Sequence, residues 1–179
     1  NDSYLQKTDV ENIYANLFGF KYFGFAKTPT NTLDLQIASE PDKLDPALNS
    51  TVDGACLAIL NFSGLFAYDD NGQLVPELAD SYEMSEDGMT YTFTMKDGLK
   101  WSDGEALDAN DVLYSWNRLA DENTAADYSY LCSVFATKDD GTLDIEASED
   151  GKTFTAHLNA PCAYFLDLCA FPAFYPVPQ

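Results

Sequence analysis

Residues 76–118, PELADSYEMSEDGMTYTFTMKDGLKWSDGEALDANDVLYSWNR, leave little choice of local structure. Glu86-Asp87-Gly88 reads as a turn, because Asp tolerates and Gly favours the positive φ of a tight reversal. From Thr90 to Met95, threonines alternate with Tyr91, Phe93 and Met95, the period-two pattern of a strand with one buried face. Asp97-Gly98 and Asp103-Gly104 bracket Lys100 and Trp101 between two further turns. Asp108 is placed to cap a helix with Asp111 in its first turn, and Val112, Leu113, Trp116 and Leu119 form its apolar face. Trp116 is expected in the core and Tyr114, two positions away on another face, partly exposed.

The remaining chain follows the same logic. Leu33 to Ser39 alternates as a strand, and Asn49 or Ser50 can cap a helix running through Ala55, Cys56, Ile59 and Leu60 to about Gly64. Leu65–Tyr68 and Leu74-Val75 flank Asp69-Asp70-Asn71-Gly72, a hairpin. A short helix is expected over Asp127–Ala136, and strands over Leu143–Ala147 and Thr153–Leu158. Asn159 ahead of Pro161 suggests the start of a helix through Phe165 and Leu168 that stops before Pro172. The fold class is α/β with mixed sheets.

Charge narrows the function. Thirty acidic residues against nine basic ones give a formal charge of −21, and Arg118 is the sole arginine. A reader of phosphate backbones needs a positive surface, so nucleic acid is excluded as a partner. Anionic membrane surfaces repel such a chain, and no run reaches the ~18–20 apolar residues of a membrane span. Asn1-Asp2-Ser3 lacks the basic and apolar regions of a signal peptide, as a mature or excised chain would. Hydrophobic residues make up 46 % and aromatic ones 14 %, enough for a packed core.

Cys56, Cys132, Cys162 and Cys169 lack CxxC spacing and the one histidine is His157, so neither a metal nor a cofactor is expected. On one helix face, Cys162 and Cys169 would lie about 10 Å apart, too far for a mutual disulfide. Pairing with Cys56 or Cys132 stays open, as do free thiols. No nucleophile elbow, P-loop, dinucleotide fingerprint or zinc-protease motif occurs, so no catalytic residue is assigned and the chain is not expected to be an enzyme. His157 falls on the same side of its strand as Thr153 and Thr155, facing solvent. The Asp-rich turns at 69–72 and 139–141 depart from a calcium loop and read as hairpin turns. Arg118, near its helix C-terminus, suits the macrodipole and can pair with Asp111 or Asp121.

These motifs also carry a family likeness. Pro76-Glu77-Leu78-Ala79-Asp80-Ser81-Tyr82, the strand Asp87-Gly88-Met89-Thr90-Tyr91-Thr92-Phe93, Lys100-Trp101-Ser102-Asp103-Gly104 and Asp111-Val112-Leu113-Tyr114-Ser115-Trp116 followed by Arg118 resemble the family 5 extracellular solute-binding proteins. Glu40-Pro41 through Leu44-Asp45-Pro46 resembles that family's opening, and Asn123-Thr124-Ala125 with Tyr128 and Tyr130 its oligopeptide-binding branch. The resemblance implies a type II periplasmic-binding-protein-like, two-lobe architecture. Residues 1–32 would be an aromatic-rich arm unlike the family's usual start, 33–62 the opening of the first lobe, and 63–179 a smaller α+β domain. The second lobe would lie outside this sequence, and the Ala136–Leu143 connection is shorter than in the family.

The function so implied is that of the substrate-binding component of an ABC importer. It would capture oligopeptides non-covalently between its lobes and deliver them to the permease subunits. It would be a monomer on the extracellular or periplasmic side of the membrane, held there by a lipid anchor outside this chain. Ser50, Thr51 and Val52 fall where oligopeptide binders offer main-chain N–H and C=O groups to a peptide, a contact indifferent to side chains. Tyr128, with Tyr130 as its rival, falls where the family places a ligand-facing tyrosine. Relatives that carry nickel complexes, haem or oligosaccharides supply another reading, and a surface interaction module without transport a further one.

Overall fold

A computed structural model describes residue 37 and residues 39–179. The aromatic arm expected over residues 1–32 lies outside the described residues, as does the strand over Leu33–Ser39 apart from Ile37 and Ser39. In chain order the elements are α1 (Val52–Asn61), β1 (Phe66–Tyr68), β2 (Leu74–Pro76), β3 (Ala79–Met84), β4 (Thr90–Met95), α2 (Ala109–Ala120), β5 (Ile145–Ala147), β6 (Thr153–His157) and α3 (Phe165–Leu168). Short 3₁₀ turns occupy Glu122–Thr124, Ser129–Val134 and Pro172–Phe174.

Two antiparallel sheets result. The strands β1 and β2 form the expected hairpin, with Ala67 opposite Val75. The other four make a sheet of order β3-β4-β6-β5, with Phe93 of β4 opposite both Tyr82 and Phe154. Alternation sets its faces: Tyr91, Phe93 and Met95 are buried in β4, and Phe154 and Ala156 in β6. Helix α2 packs on that apolar face. Its Trp116 meets Phe154 edge-on at 4.8 Å between ring centres, Phe174 at 5.3 Å and Phe135 at 5.4 Å. The buried indole N–H donates to the Phe174 carbonyl at 2.9 Å, so its one polar atom is satisfied.

The start of α2 is a capping box. Asp108 accepts from the Asn110 N–H at 2.7 Å, while Asp111 accepts from the Asp108 N–H at 3.0 Å. Val112 and Leu119 are fully buried, whereas Tyr114 is half-buried, as the helical spacing requires. Each Asp-rich turn spends one carboxylate internally. Asp69 accepts from the Asn71 and Gln73 N–H groups, and Asp140 from the Thr142 N–H and hydroxyl.

Several expectations need correction. The cap of α1 is Thr51, not Asn49 or Ser50, and the helix ends at Asn61 rather than near Gly64. Its buried positions are Gly54 and Ala58, while Cys56, Ile59 and Leu60 are exposed. The segment 127–136 is a 3₁₀ turn over Ser129–Val134, its Leu131 N–H reaching back three residues to the Tyr128 carbonyl at 3.0 Å. Asn159 caps nothing: its side-chain amide donates to the Ser133 carbonyl, and α3 is one turn long. Cys162 and Cys169 therefore do not share a helix face, and all four cysteines are unpaired. His157 is half-buried, with Nδ1 3.1 Å from the Thr90 hydroxyl.

Candidate functional site

The loop entering α1 is fixed from three directions. Asp45 turns the chain, its carbonyl accepting from the Leu48 and Asn49 N–H groups at 3.1 and 2.9 Å. Its carboxylate receives both guanidinium nitrogens of Arg118, at 3.1 and 2.5 Å. This bidentate pair spans 73 residues of sequence and replaces the partners Asp111 and Asp121 expected for Arg118. Burial pushes the Asp45 carboxyl up, but the Arg118 hydrogen bonds and charge, with the Ala47 and Leu48 N–H groups, outweigh it and leave the carboxyl below the usual range. Arg118 is raised correspondingly by its bond to Asp45.

Asn49, only 4 % exposed, organises the next residues. Its Oδ1 accepts from the Thr51 N–H at 3.2 Å and hydroxyl at 2.9 Å, and its amide donates to the Thr51 carbonyl at 3.0 Å. Thr51 then caps α1 by accepting from the Gly54 N–H at 3.2 Å. Gly54 is required here: a Cβ on it would stand 1.9 Å from Asn49 Oδ1 and 2.9 Å from the Lys43 carbonyl oxygen. A second close approach seats the opposite wall. Gly64 passes the Cys169 carbonyl so tightly that a Cβ would lie 2.4 Å from its oxygen, which sets residues 169–174 alongside the start of β1.

These contacts shape a groove of about 120 Å³. One side is Asn49–Val52 with Ala55, and the other is Tyr128 with Phe171–Ala173. The structure thus brings together all four residues singled out from the sequence, Ser50, Thr51, Val52 and Tyr128. Val52 is 81 % exposed, an apolar side chain held in solvent at the rim. The Ser50 N–H and C=O and the Val52 N–H have no hydrogen-bond partner among the described residues. Tyr128 is half-buried, its ring edge-on to Phe171 at 5.0 Å. Tyr130 is 63 % exposed and lines no part of the groove. Ser50 donates to Asp127 Oδ2 at 2.6 Å, tying the two walls across 77 residues.

Sequence reasoning missed the second hollow, of about 1050 Å³, between α2 and the 140–143 turn. Leu113, Tyr114, Asn117 and Arg118 line it, and Asn117 Oδ1 is buried without a hydrogen-bond partner among the described residues. The one available signal was the short connection between Ala136 and Leu143. Among the described residues no group of three or more His, Cys, Asp or Glu side chains is placed to hold a metal ion. No described helix is long and apolar enough to cross a membrane.

The model of the bacterial extracellular solute-binding proteins, family 5 Middle, matches residues 73–179. The chain belongs to this family. Among its relatives is the oligopeptide-binding protein OppA of Bacillus subtilis, 36 % identical over 155 residues, which are 82 % of this chain and 28 % of that protein. A dipeptide-binding protein of Lactococcus lactis is 40 % identical over 124 residues, 65 % of this chain and 22 % of the relative. Among solved structures, Haemophilus influenzae OppA in complex with RPPGFSPFR superposes with a TM-score of 0.73 at 32 % identity, covering 79 % of this chain and 29 % of that one. The family 5 chain described here therefore spans less than a third of the length of these relatives. Its α/β fold is the type II periplasmic-binding-protein-like class expected from the sequence.

Proposed function

We propose that this chain is part of the extracellular substrate-binding component of an ABC importer that captures oligopeptides. One observation carries the reading: Ser50–Val52 and Tyr128, far apart in sequence, line one groove that offers unpaired main-chain groups beside an aromatic ring. Such a surface suits an extended peptide. Main-chain pairing accepts any sequence, while Val52 and Tyr128 give apolar contact to its side chains. The OppA and dipeptide-binding relatives, by their names, support the same ligand class.

In this reading residues 33–62 open the first lobe and 63–179 form the smaller domain, after an N-terminal arm over 1–32. The second lobe of the full-length receptor closes over the peptide by hinge motion, and the closed form is what the permease subunits recognise. Binding is non-covalent and the receptor works as a lipid-anchored monomer. The test is native mass spectrometry of the full-length receptor purified from a peptide-rich extract, followed by titration with a recovered peptide. Co-purified peptides, and at least a tenfold weaker Kd in Tyr128→Ala, are the expected results. A bare receptor, or one loaded with a sugar, haem or metal chelate, overturns the proposal.

A further inference from the structure

We infer that Asp127 makes this groove select for a cationic nitrogen on the ligand, taken to be a lysine or arginine side chain. The inference rests on the peptide-binding reading and specifies the ligand class within it. Asp127 is exposed and immediately precedes Tyr128, one of the groove's walls. Its Oδ2 accepts the Ser50 hydroxyl at 2.6 Å, which holds the carboxylate against the other wall. Its Oδ1 has no protein partner among the described residues.

Among the described residues no ion pair engages that charge. No lysine or arginine lines the groove, and the sole arginine, Arg118, has both its terminal nitrogens on Asp45. With its hydroxyl proton committed to Asp127, Ser50 can donate to a ligand only through its main chain. A ligand atom arriving beside Ser50 has within reach a carboxylate held by that hydroxyl, a ready acceptor for a charged N–H donor. In a chain of charge −21 the long-range field draws cations in, and the fixed carboxylate gives the attraction a position.

The experiment uses the full-length receptor and matched peptides that differ only by lysine against norleucine, scanned through each position, at low salt. At one position lysine binds about fivefold more tightly or better, and Asp127→Asn, which keeps an oxygen for Ser50, abolishes that ratio. Glu86→Gln, an exposed acid of the β3–β4 turn lining neither hollow, leaves the ratio in place. N-acetylated peptides separate the two cation sources. A ratio that survives acetylation assigns the side chain, and a preference confined to free amino termini and lost in Asp127→Asn assigns the terminal ammonium to the same carboxylate. Equal affinities for lysine and norleucine, with no effect of acetylation, overturn this inference while leaving the peptide reading standing. A preference eroded equally by Glu86→Gln belongs to the overall field and also overturns it. Failure to bind any peptide overturns both.

Discussion

Replacing Gly54 by alanine sets two effects of opposite sign against each other. Gly54 lies inside α1, where alanine is favoured over glycine by roughly 1 kcal/mol from backbone entropy alone. Against that, the new methyl would stand 1.9 Å from Asn49 Oδ1, 2.6 Å from its Cγ and 2.9 Å from the Lys43 carbonyl oxygen. Overpacking of this kind costs about 1–3 kcal/mol. Expelling the Asn49 side chain also forfeits its three hydrogen bonds to Thr51, and stranding a buried polar group costs about 1–3 kcal/mol more. The balance is destabilisation by about 3 kcal/mol, a fall in Tm of roughly 6–12 °C for a chain this long. Thermal unfolding of the 179-residue chain measures it. In an Asn49→Ala background the same substitution should cost less, because only the Lys43 contact remains. A Tm that rises, or simple additivity of the two changes, would refute the steric argument.

Two further predictions concern single side chains. Arg118→Gln should destabilise by about 2 kcal/mol at neutral pH, since it leaves the Asp45 carboxylate half-buried without its charged partner. The Asp45 carboxyl is depressed, so the pair's contribution is present above the unfolded pKa of ~3.9 and lost as pH falls through the lower folded value. Urea unfolding should therefore show the gap between parent and variant closing below about pH 4, and a gap unchanged by pH would refute the assignment. Among the thiols, exposed Cys56 should react with a thiol reagent in the native chain, whereas Cys132, pushed up to about 12 by burial, and Cys169, also raised by burial, should react only on unfolding. Native labelling of Cys132 or Cys169 at the rate of Cys56, read by peptide mass spectrometry, would contradict their burial.

Local rules carried the central block from sequence to structure. The Thr/aromatic alternation of Thr90–Met95 became β4 with its aromatic face buried, and Asp108 with Asp111 became a capping box. Both depend on neighbours only a few residues away, so both are written in local spacing. The errors fell where competing local solutions are nearly equal. Asn49, Ser50 and Thr51 are all good caps, and what selects Thr51 is the burial of Asn49 against Gly54 and the Ser50 hydroxyl's bond to Asp127. Asn159-Ala160-Pro161 has helix-start chemistry, but the Asn159 amide is drawn to Ser133, 26 residues away, and the helix shrinks to one turn.

The sequence by itself determined the β4 strand, the turns of the central block, the core helix, the family, and which residues were worth watching at Ser50–Val52 and Tyr128, while the order and register of the four-stranded sheet came from the structure. Only the tertiary structure decided that these residues share a groove, that Phe171–Ala173 form its other wall, and that Arg118 serves Asp45 rather than an acid on its own helix. It alone brought the Asp127 carboxylate to the Ser50 hydroxyl, beside the groove. The reason is reach. Turns, caps and alternation are settled within a few residues, whereas pairings across 73 and 77 residues depend on how the elements pack before either partner meets the other.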